Sequence, residues 1–457
     1  MATSLPVEGS TLSHWHRTTR SFPYLNTHRF ASVPASSEYL IIGSGITGAL
    51  SAWELVNSGV SGSDILILEA REAVSGASGR NAGHVRPDAF RGFERLRAIH
   101  GSEQAVKILE SEKIVLRNVR NFVETNEIDC DFVYTTTLEV CMNETHAASM
   151  AEAFSRYRQA GGDVSHVRFY QGEEAKAKSG VSAAICAYEW PAGSNHPGKL
   201  TQWILSDIIA KGARLWTHCP AIKVSKCQRP GGKRWDVQTP RGVTNANTVV
   251  HCTNAYAAYL LPELSGLITP RRAQGHSYIP PASLSGENML KSTMSLRYGP
   301  SHYFSVNQLK DGTVILGGQA TRTDADRNEE YMKDRASFDD SKHNPEQKMN
   351  SVTEFAKLAA RGPSSQPRPG EGLSHVWTGI VGETPDAVPF IGPIEGLEGQ
   401  WICAGFNGHG MGRIFHDAPA LVQLMRGIAW EETGLPECFR FSKKRVEQLS
   451  KKKWSKV

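Results

Sequence analysis

Apolar positions along this chain follow two different rhythms. Residues 38–42 form a short continuous apolar run, the pattern of a strand buried on both faces. Ile46, Ala49, Leu50, Trp53 and Val56 then recur at helical spacing until Ser58-Gly59 stops the helix. A second buried run, 64–68, leads straight into Glu69. Strand, glycine turn, helix and strand thus fit within about thirty residues, the span of a βαβ unit. Ala105, Ile108, Leu109, Leu116, Val119, Phe122 and Val123 predict a long amphipathic helix over 102–125.

From about residue 130 the period shortens towards two. Residues 133–141, 164–169 and 184–190 read as antiparallel strands, with a helix near 146–160 and another over 199–211. Residues 215–217, 221–224 and 235–239 read as strands, and 248–252 as a further buried one. A strand-rich stretch, 270–317, precedes a hydrophilic helical region at 326–360 and a Pro/Ser/Gly-rich loop at 362–372. The chain closes with a buried strand at 401–404, a glycine-dense turn and a final helix, in which Pro419 predicts a kink or a restart capped by Asp417.

The fold class this implies is α/β (α+β overall). A Rossmann-like domain, 37–128, 195–266 and 372–440, is interleaved with a mixed or antiparallel β-sheet domain, 129–194 and 267–371. A surface leader, 1–36, and a solvated basic tail, 441–457, flank them. No internal repeat interrupts this layout.

The βαβ unit carries the first chemistry. In Gly43-Ser44-Gly45-Ile46-Thr47-Gly48, Gly43 permits the tight turn, Gly45 lets backbone approach a pyrophosphate, and Gly48 lets helix pack on strand. The helix N-terminus turns free N–H groups towards phosphate. Glu69, twenty-one residues after Gly48, can accept from ribose hydroxyls and would repel a 2′-phosphate. This fingerprint does not choose between NAD and FAD. The segment 71–84 does, because six of its fourteen residues are Gly or Ala, which lets backbone lie against a large flat ligand.

That loop and the fingerprint resemble the D-amino acid oxidase superfamily of FAD enzymes, especially its γ-glutamylputrescine-oxidase-like branch. The resemblance covers most of the chain. His14-Trp15 and Thr27-His28-Arg29 resemble the start of fungal members, and His196-Pro197-Gly198-Lys199-Leu200 the His-Pro-x-Lys-Leu element. Thr253-Asn254-Ala255, Pro270-Arg271-Arg272-Ala273-Gln274, Thr384-Pro385-Asp386 with Pro389 and Gly392, and Gly405 to Gly412 resemble further family elements. The resemblance implies FAD contacts at Ile46, Thr47, Ala70, Arg71, Gly76, Ala77, Ser78, Arg80, Asn81, Ala82, Gly83 and His84, with His84 near the isoalloxazine. It adds Ala221, Thr253, Asn254, Gly405, Asn407, Gly408, His409, Gly410, Met411 and Gly412.

The last of these elements opens the final helix, whose positive end can stabilise an anionic reduced flavin. His409 reads there as a structural or backbone-contributing residue rather than a proton carrier. Sarcosine-oxidase relatives tether flavin through a Cys where this chain has Gly379, and dimethylglycine-dehydrogenase relatives through a His where it has Arg80. Non-covalent FAD follows, with a tether through His84 as the alternative.

For the substrate side the resemblance offers His84, Arg86, Arg272, Gln274, His276, Tyr303 and Trp377, with His84, Arg86, Arg272, His276 and Tyr303 as candidate catalytic residues. Arg86 or Arg272 could clamp a carboxylate bidentately, or each could form a structural salt bridge. Neither a second G-x-G-x-x-G nor a C-terminal Gly-Asp is present, which argues against NAD(P)H-driven monooxygenation. Sarcosine oxidases place an oxygen-activating Lys after the Pro-x-Arg-x-Gln strand; none lies between Gln274 and Asn288, which argues against sarcosine and leaves the acceptor open.

The expected function is oxidation of an amine or amino acid C–N bond by hydride transfer to flavin N5, with oxygen as acceptor. A tailoring oxidase of secondary metabolism and a flavin-bound regulatory protein are the alternatives. Composition excludes other classes. A net charge of +5 over 457 residues, with no basic cluster interleaved with aromatics, argues against nucleic-acid binding. Eight scattered cysteines without C-x-x-C spacing argue against zinc and for a reducing compartment. No run resembles a signal peptide or a membrane span. A cytoplasmic monomer or small homo-oligomer is expected; the terminal Ser455-Lys456-Val457 differs by one residue from a peroxisomal address.

Overall fold

The computed structural model describes residues 3–299, 302–319, 325–360 and 367–451. Residues 362–366 of the predicted loop, the lysines at 452 and 453 and the Ser455-Lys456-Val457 ending lie outside the described residues. Two sheets organise the described residues.

The first has eight strands. Its parallel centre runs Gln400–Ala404, Gly242–His251, Ser36–Ile42, Ile65–Leu68 and Arg214–Trp216. Phe390–Pro393 adds an antiparallel edge, and Lys223–Lys226 with Trp235–Thr239 form a ribbon on Gly242–His251. Both faces are covered, so the strands read as unbroken apolar runs. Ile41, Ile65, Ile67 and Val250 face the helices Ile46–Asn57, Ser102–Thr125, Pro197–Ala210 and Ile414–Met425, whereas Leu40, Ile42, Leu66, Leu68 and Val249 face the ribbon side.

The second sheet has nine strands, ordered Gly372–Glu383, Thr269–Ile279, Val314–Gln319, His302–Gln308, Thr293–Gly299, Val133–Cys141, Cys186–Ser194 and His84–Val85, with Arg168–Gln171 beside Cys186–Ser194. Every pairing is antiparallel except Val133–Cys141 against Thr293–Gly299. Its alternation sorts side chains. Leu138, Leu296, Phe304, Val306, Val314 and Leu316 pack under the helix Pro345–Ala359. The other face looks towards the loop that follows Glu69.

Four expectations need correction. The leader is not a surface segment: Ser13 and Trp15 are fully buried, because the helix His14–Arg17 inserts against the loop 71–84. Residues 372–383 belong to the second sheet, because they pair along the whole of Thr269–Ile279. The basic tail is docked as far as 451. Phe441 and Leu449 are buried in its helix region, and Arg445 grips Asp386 through Nε (2.9 Å) and Nη2 (3.1 Å). The final helix runs through Pro419 without restarting. Proline removes the N–H that would bond the Phe415 carbonyl; Asn118 Nδ2 supplies a donor to that carbonyl instead, at 3.0 Å. Among the described residues no helix is long and apolar enough to cross a membrane.

Asn118→Ala should therefore lower stability by about 1 kcal/mol through the orphaned Phe415 carbonyl. An unchanged urea midpoint with an unchanged slope would contradict this account.

Candidate active site

The glycine turn is shaped by steric necessity. Gly43 has φ +110°, and a Cβ there would sit 2.7 Å from the Cys252 carbonyl oxygen. A Cβ on Gly48 would overlap the Gly43 carbonyl oxygen, so strand and helix touch only because the residue is glycine. A Cβ on Gly45 would press on Ser78 Oγ at 3.0 Å. Gly45 caps the helix Ile46–Asn57 with no side-chain hydrogen bond, and the first turn holds no acidic residue. The positive end of that helix is left for an external anion. Thr47 is buried in this first turn, and Ile46 N donates to Ser78 Oγ at 2.9 Å.

Glu69 is fixed beside the turn. One carboxylate oxygen accepts from Ser44 N (3.0 Å) and Ser44 Oγ (2.7 Å), and the other from Arg71 N (3.0 Å). Ala70 follows it half-buried, and Ala221 is buried in the core under this sheet. Gly76 opens onto space, with nothing within 4 Å of a Cβ built there. Ala77 to Gly79 form a 3-10 turn. Ser75 Oγ, Thr253 Oγ1 and Tyr256 Oη are buried without a hydrogen-bond partner. An uncapped helix end, a ribose-type carboxylate and orphaned hydroxyls fit a dinucleotide such as FAD.

The loop is held from outside by the leader. Trp15 Nε1 donates to the Asn81 carbonyl at 2.7 Å, and Ser13 Oγ to the Gly79 carbonyl at 2.5 Å. Arg80 is engaged wholly by protein: Nε donates to Ser75 O (2.6 Å), Nη1 to Thr11 O (2.6 Å) and Thr378 O (2.8 Å), and Nη2 to Ser10 Oγ (2.8 Å). Arg71 meets Asp340 bidentately at 2.9 and 3.0 Å. Both arginines thus anchor the loop. Asn81 Oδ1 accepts from Gly83 N, and Asn307 Nδ2 donates to the Ala82 carbonyl.

His84 then enters the second sheet, pairing with Ser194. Its Nε2 meets Ser305 Oγ at 2.6 Å, and its Nδ1 is buried without a partner. Burial, helped by Arg86, lowers its pKa to about 3, so the ring is neutral near pH 7.

At the far side, Asn254 Oδ1 accepts from Gly405 N and Phe406 N, while Asn407 Oδ1 accepts from Thr384 N. Gly405 and Gly408 have positive φ, and Gly410 to Gly412 make a 3-10 turn in which Met411 is buried. His409 Nε2 meets Glu112 at 2.8 Å, and Arg413 Nε donates to the same carboxylate at 3.2 Å. Burial would raise the Glu112 pKa, but His409 and Arg413 hold it below the usual range.

Alternation of the second sheet decides which substrate-side candidates face this loop. Tyr303, Ser305 and Asn307 share one face, and pairing places Arg297, Ser295, Glu139, Arg271 and Trp377 on that same face. Arg272, Gln274 and His276 point the other way, towards the region 334–359. Arg272 Nη2 meets Asp334 at 2.6 Å, Gln274 bonds both backbone groups of Asn344, and His276 meets Gln274 at 2.9 Å. Arg272 and His276 are thereby removed from the pocket around Tyr303. Arg86 is close to it but engaged, with Glu139 and with Ser295 Oγ at 2.5 Å. Trp377 Nε1 donates to the Arg80 carbonyl, so this ring is also a scaffold.

Around Tyr303 the charges are unusual. The Arg297 guanidinium lies 4.1 Å from the Tyr303 ring centroid. Glu139 accepts ion pairs from Arg86, Arg91 (3.3 Å) and Arg297 (2.7 Å); burial would raise its pKa, yet these arginines hold it at about 2. Arg271 pairs with Glu383 and comes within 3.4 Å of a Cβ built on Gly408. Burial would raise the Tyr303 pKa, but Arg271, Arg297, Arg335 and Arg91 lower it. Arg335 and Tyr331, on the helix Ala325–Arg335, are pocket residues that sequence reasoning missed, because that stretch reads as a hydrophilic helix without a motif.

The glycine turn, Glu69, the loop and the closing turn converge on one dinucleotide cradle, and comparison with known proteins agrees. The profile of the family described as FAD dependent oxidoreductase (DAO) matches residues 38–415. This chain belongs to the DAO family of FAD-dependent oxidoreductases. The probable oxidoreductase OrdL of Rhizobium meliloti (strain 1021) is 25% identical over 396 residues, covering 84% of this chain and 82% of OrdL. The γ-glutamylputrescine oxidoreductase of Escherichia coli (strain K12) is 26% identical over 226 residues, 47% of this DAO-family chain and 48% of that protein. Glycine oxidase from Geobacillus kaustophilus superposes with a TM-score of 0.67 at 18% identity, over 90% of this chain and 99% of that one. The DAO-type fold and FAD dependence follow; the leader lies before the first matched residue, 38.

A pH dependence follows from the histidines held neutral by burial. His16 and His84 are lowered to about 3, and His196, His251 and His276 to about 4. The unfolded chain protonates each near pH ~6.5, so below that value it binds more protons than the native state. Stability should fall steadily as pH drops from about 6.5 towards about 4. A urea midpoint that stays flat across that window would contradict it.

Proposed function

We propose that this DAO-family protein oxidises the C–N bond of an amine or amino acid, passing a hydride to flavin N5, with molecular oxygen as the final acceptor. The observation that carries the reading is the second sheet's loop-facing side. It presents Tyr303, ringed by arginines, next to His84 and to the Gly405–Gly412 turn. FAD, when bound, supplies the electron acceptor.

The chain's own residues supply position and field. Glu69 and the turn at Gly43–Gly48 would hold the nucleotide end, and the loop 71–84 would lie along the ring system. His84, neutral and bonded to Ser305, would border the reacting side without adding charge. The leader and Arg80 hold the loop in place. Released imine would hydrolyse to a carbonyl compound and an amine or ammonia. Similarity to γ-glutamylputrescine oxidoreductase supports placing the chain near that branch. The two sheets support a division into a flavin domain and a substrate domain, with residues 84–85 and 372–383 on the substrate-side sheet.

We infer that FAD is held without a covalent bond. The two positions at which relatives carry a tether, Gly379 and Arg80, face each other here: a Cβ on Gly379 would lie 2.9 Å from Arg80 Cβ. Neither residue offers a nucleophile: glycine has no side chain, and the Arg80 guanidinium donates from all three nitrogens to the protein. Acid precipitation of the purified holoenzyme should leave the yellow flavin in the supernatant; flavin retained in the pellet would show a tether.

Under anaerobic conditions, a panel of amines and amino acids should include members that bleach the flavin absorbance, and air should then restore it with hydrogen peroxide formed. Failure of every amine and amino acid to bleach it would overturn the proposed reaction.

A further inference from the structure

Two of the eight cysteines meet across the second sheet. Cys141 ends the strand Val133–Cys141 and Cys186 begins Cys186–Ser194, and the antiparallel register sets them directly opposite each other. Residues so placed have Cα atoms about 4.5 to 5.5 Å apart, within the span of about 4.4 to 6.8 Å that a disulfide bridges. Both are free thiols, Cys141 fully buried and Cys186 4% exposed, and their side chains hydrogen-bond to each other. Cys252 and Cys403 are also neighbours, but Cys252 is hydrogen-bonded to Ser51 and burial pushes its thiol up to about 12.

A thiol is oxidised as its thiolate. The hydrogen bond from Cys141 holds the Cys186 thiol below its ordinary value against the burial that would raise it, whereas the same bond, with burial, pushes Cys141 up. Cys186 is therefore the sulfur that an oxidant meets first, and Cys141, still protonated, is the one that resolves it. Sheet alternation ties this pair to the pocket. On its other side Cys141 stands beside Arg297, and Arg297 opposite Tyr303, so one row of one face runs Tyr303, Arg297, Cys141, Cys186. Cys141 thus sits two strand spacings, about 10 Å, from Tyr303. Glu139, two residues before Cys141 on the same face, holds Arg297 by an ion pair at 2.7 Å.

We propose that Cys141 and Cys186 are a reversible oxidation site for hydroperoxide, closed into a disulfide by the hydrogen peroxide that turnover releases, and that closure slows the flavin reaction through Arg297. This rests on the oxygen-linked reading above. The Cys186 thiolate attacks one peroxide oxygen, the O–O bond breaks, and the departing hydroxide takes up the proton that Cys186 gave up and leaves as water. The Cys141 thiol then attacks the sulfenic sulfur of Cys186. An S–S bond forms, the S–O bond breaks, and a second water leaves with the Cys141 proton. Two thiols lose two electrons and one peroxide becomes two waters; a dithiol reductant reverses the bond by exchange. Closure draws the two sulfurs from hydrogen-bond separation to about 2 Å. In a close-packed face the space this opens falls beside Arg297, the cation that covers the Tyr303 ring.

The test uses FAD-loaded protein, reduced with dithiothreitol and then freed of it. After a small molar excess of hydrogen peroxide, the protein is denatured in iodoacetamide and its peptides are mapped by mass spectrometry. A peptide pair joined through Cys141 and Cys186, two hydrogens lighter than its separate parts and released by dithiothreitol, is expected, while Cys252 and Cys403 still take the alkyl label. Labelling of both Cys141 and Cys186, or oxidation that stops at an unlinked sulfinic acid, would overturn the site. In air, an amine that bleaches the flavin should produce the same link, and catalase should suppress it; a link from added peroxide with none from turnover would overturn the protein's own peroxide as the source. The linked protein should bleach anaerobically with that amine about threefold or more slowly than the reduced protein, with recovery in dithiothreitol and no such slowing in peroxide-treated Cys186→Ala. Equal rates for linked and reduced protein would overturn the effect through Arg297. A link from added peroxide without bleaching by any amine would overturn the oxidase reading and keep the oxidation site.

Discussion

The two-residue strand His84–Val85 hydrogen-bonds to Gly193 and Ser194 and so ties a loop that begins on the parallel sheet to the sheet that faces it. Everything that makes the cradle depends on that junction. The loop has few side chains large enough to hold its own shape, since glycine and alanine dominate it. Its order is imposed at its edges: by Ser78 on the helix end, by Asn307 on the Ala82 carbonyl, and by the leader through Trp15 and Ser13. Small residues give backbone access to a flat ligand, and the surrounding anchors offset the conformational freedom those residues would otherwise keep.

The second governing constraint is electrostatic. Glu112 and Glu139 are both fully buried carboxylates, and each is held ionised by partners from separate elements. Glu112 links the helix Ser102–Thr125 to the closing turn through His409 and to the final helix through Arg413. Glu139 gathers Arg86, Arg91 and Arg297 beneath Tyr303. Breaking such a network leaves a charge without a partner, so each carboxylate fixes geometry more than it adds stability.

Much of the cradle was legible in the chain itself. The strand, glycine turn, helix and second strand could be read because every step has a local cause: overlap with the Gly43 carbonyl forbids any residue but glycine at 48, and the apolar runs at 38–42 and 65–68 tolerate only burial on both sides. The leader and the tail were misread for the opposite reason. Their polar, turn-rich texture says nothing of partners far away in sequence, yet Arg80 and Arg445 draw them onto the body of the molecule. Pro419 was misread similarly, since the donor that rescues its helix comes from Asn118, roughly three hundred residues earlier.

The candidate pocket shows most sharply where sequence stops. Pro270-Arg271-Arg272-Ala273-Gln274 reads as a strand, but adjacent positions on a strand point to opposite faces. Which face meets the loop depends on how Thr269–Ile279 pairs with Gly372–Glu383 and Val314–Gln319. Pairing sends Arg271 inward and gives Arg272, the more motif-like residue, to Asp334. The amino-acid sequence by itself determined the family, the cofactor cradle and the alternation of two sheet types, because those rest on steric limits and on short-range periodicity. Tertiary structure alone decided which arginines face the pocket and which carboxylate each one meets, because a charge acquires its meaning from neighbours that the chain supplies from elsewhere.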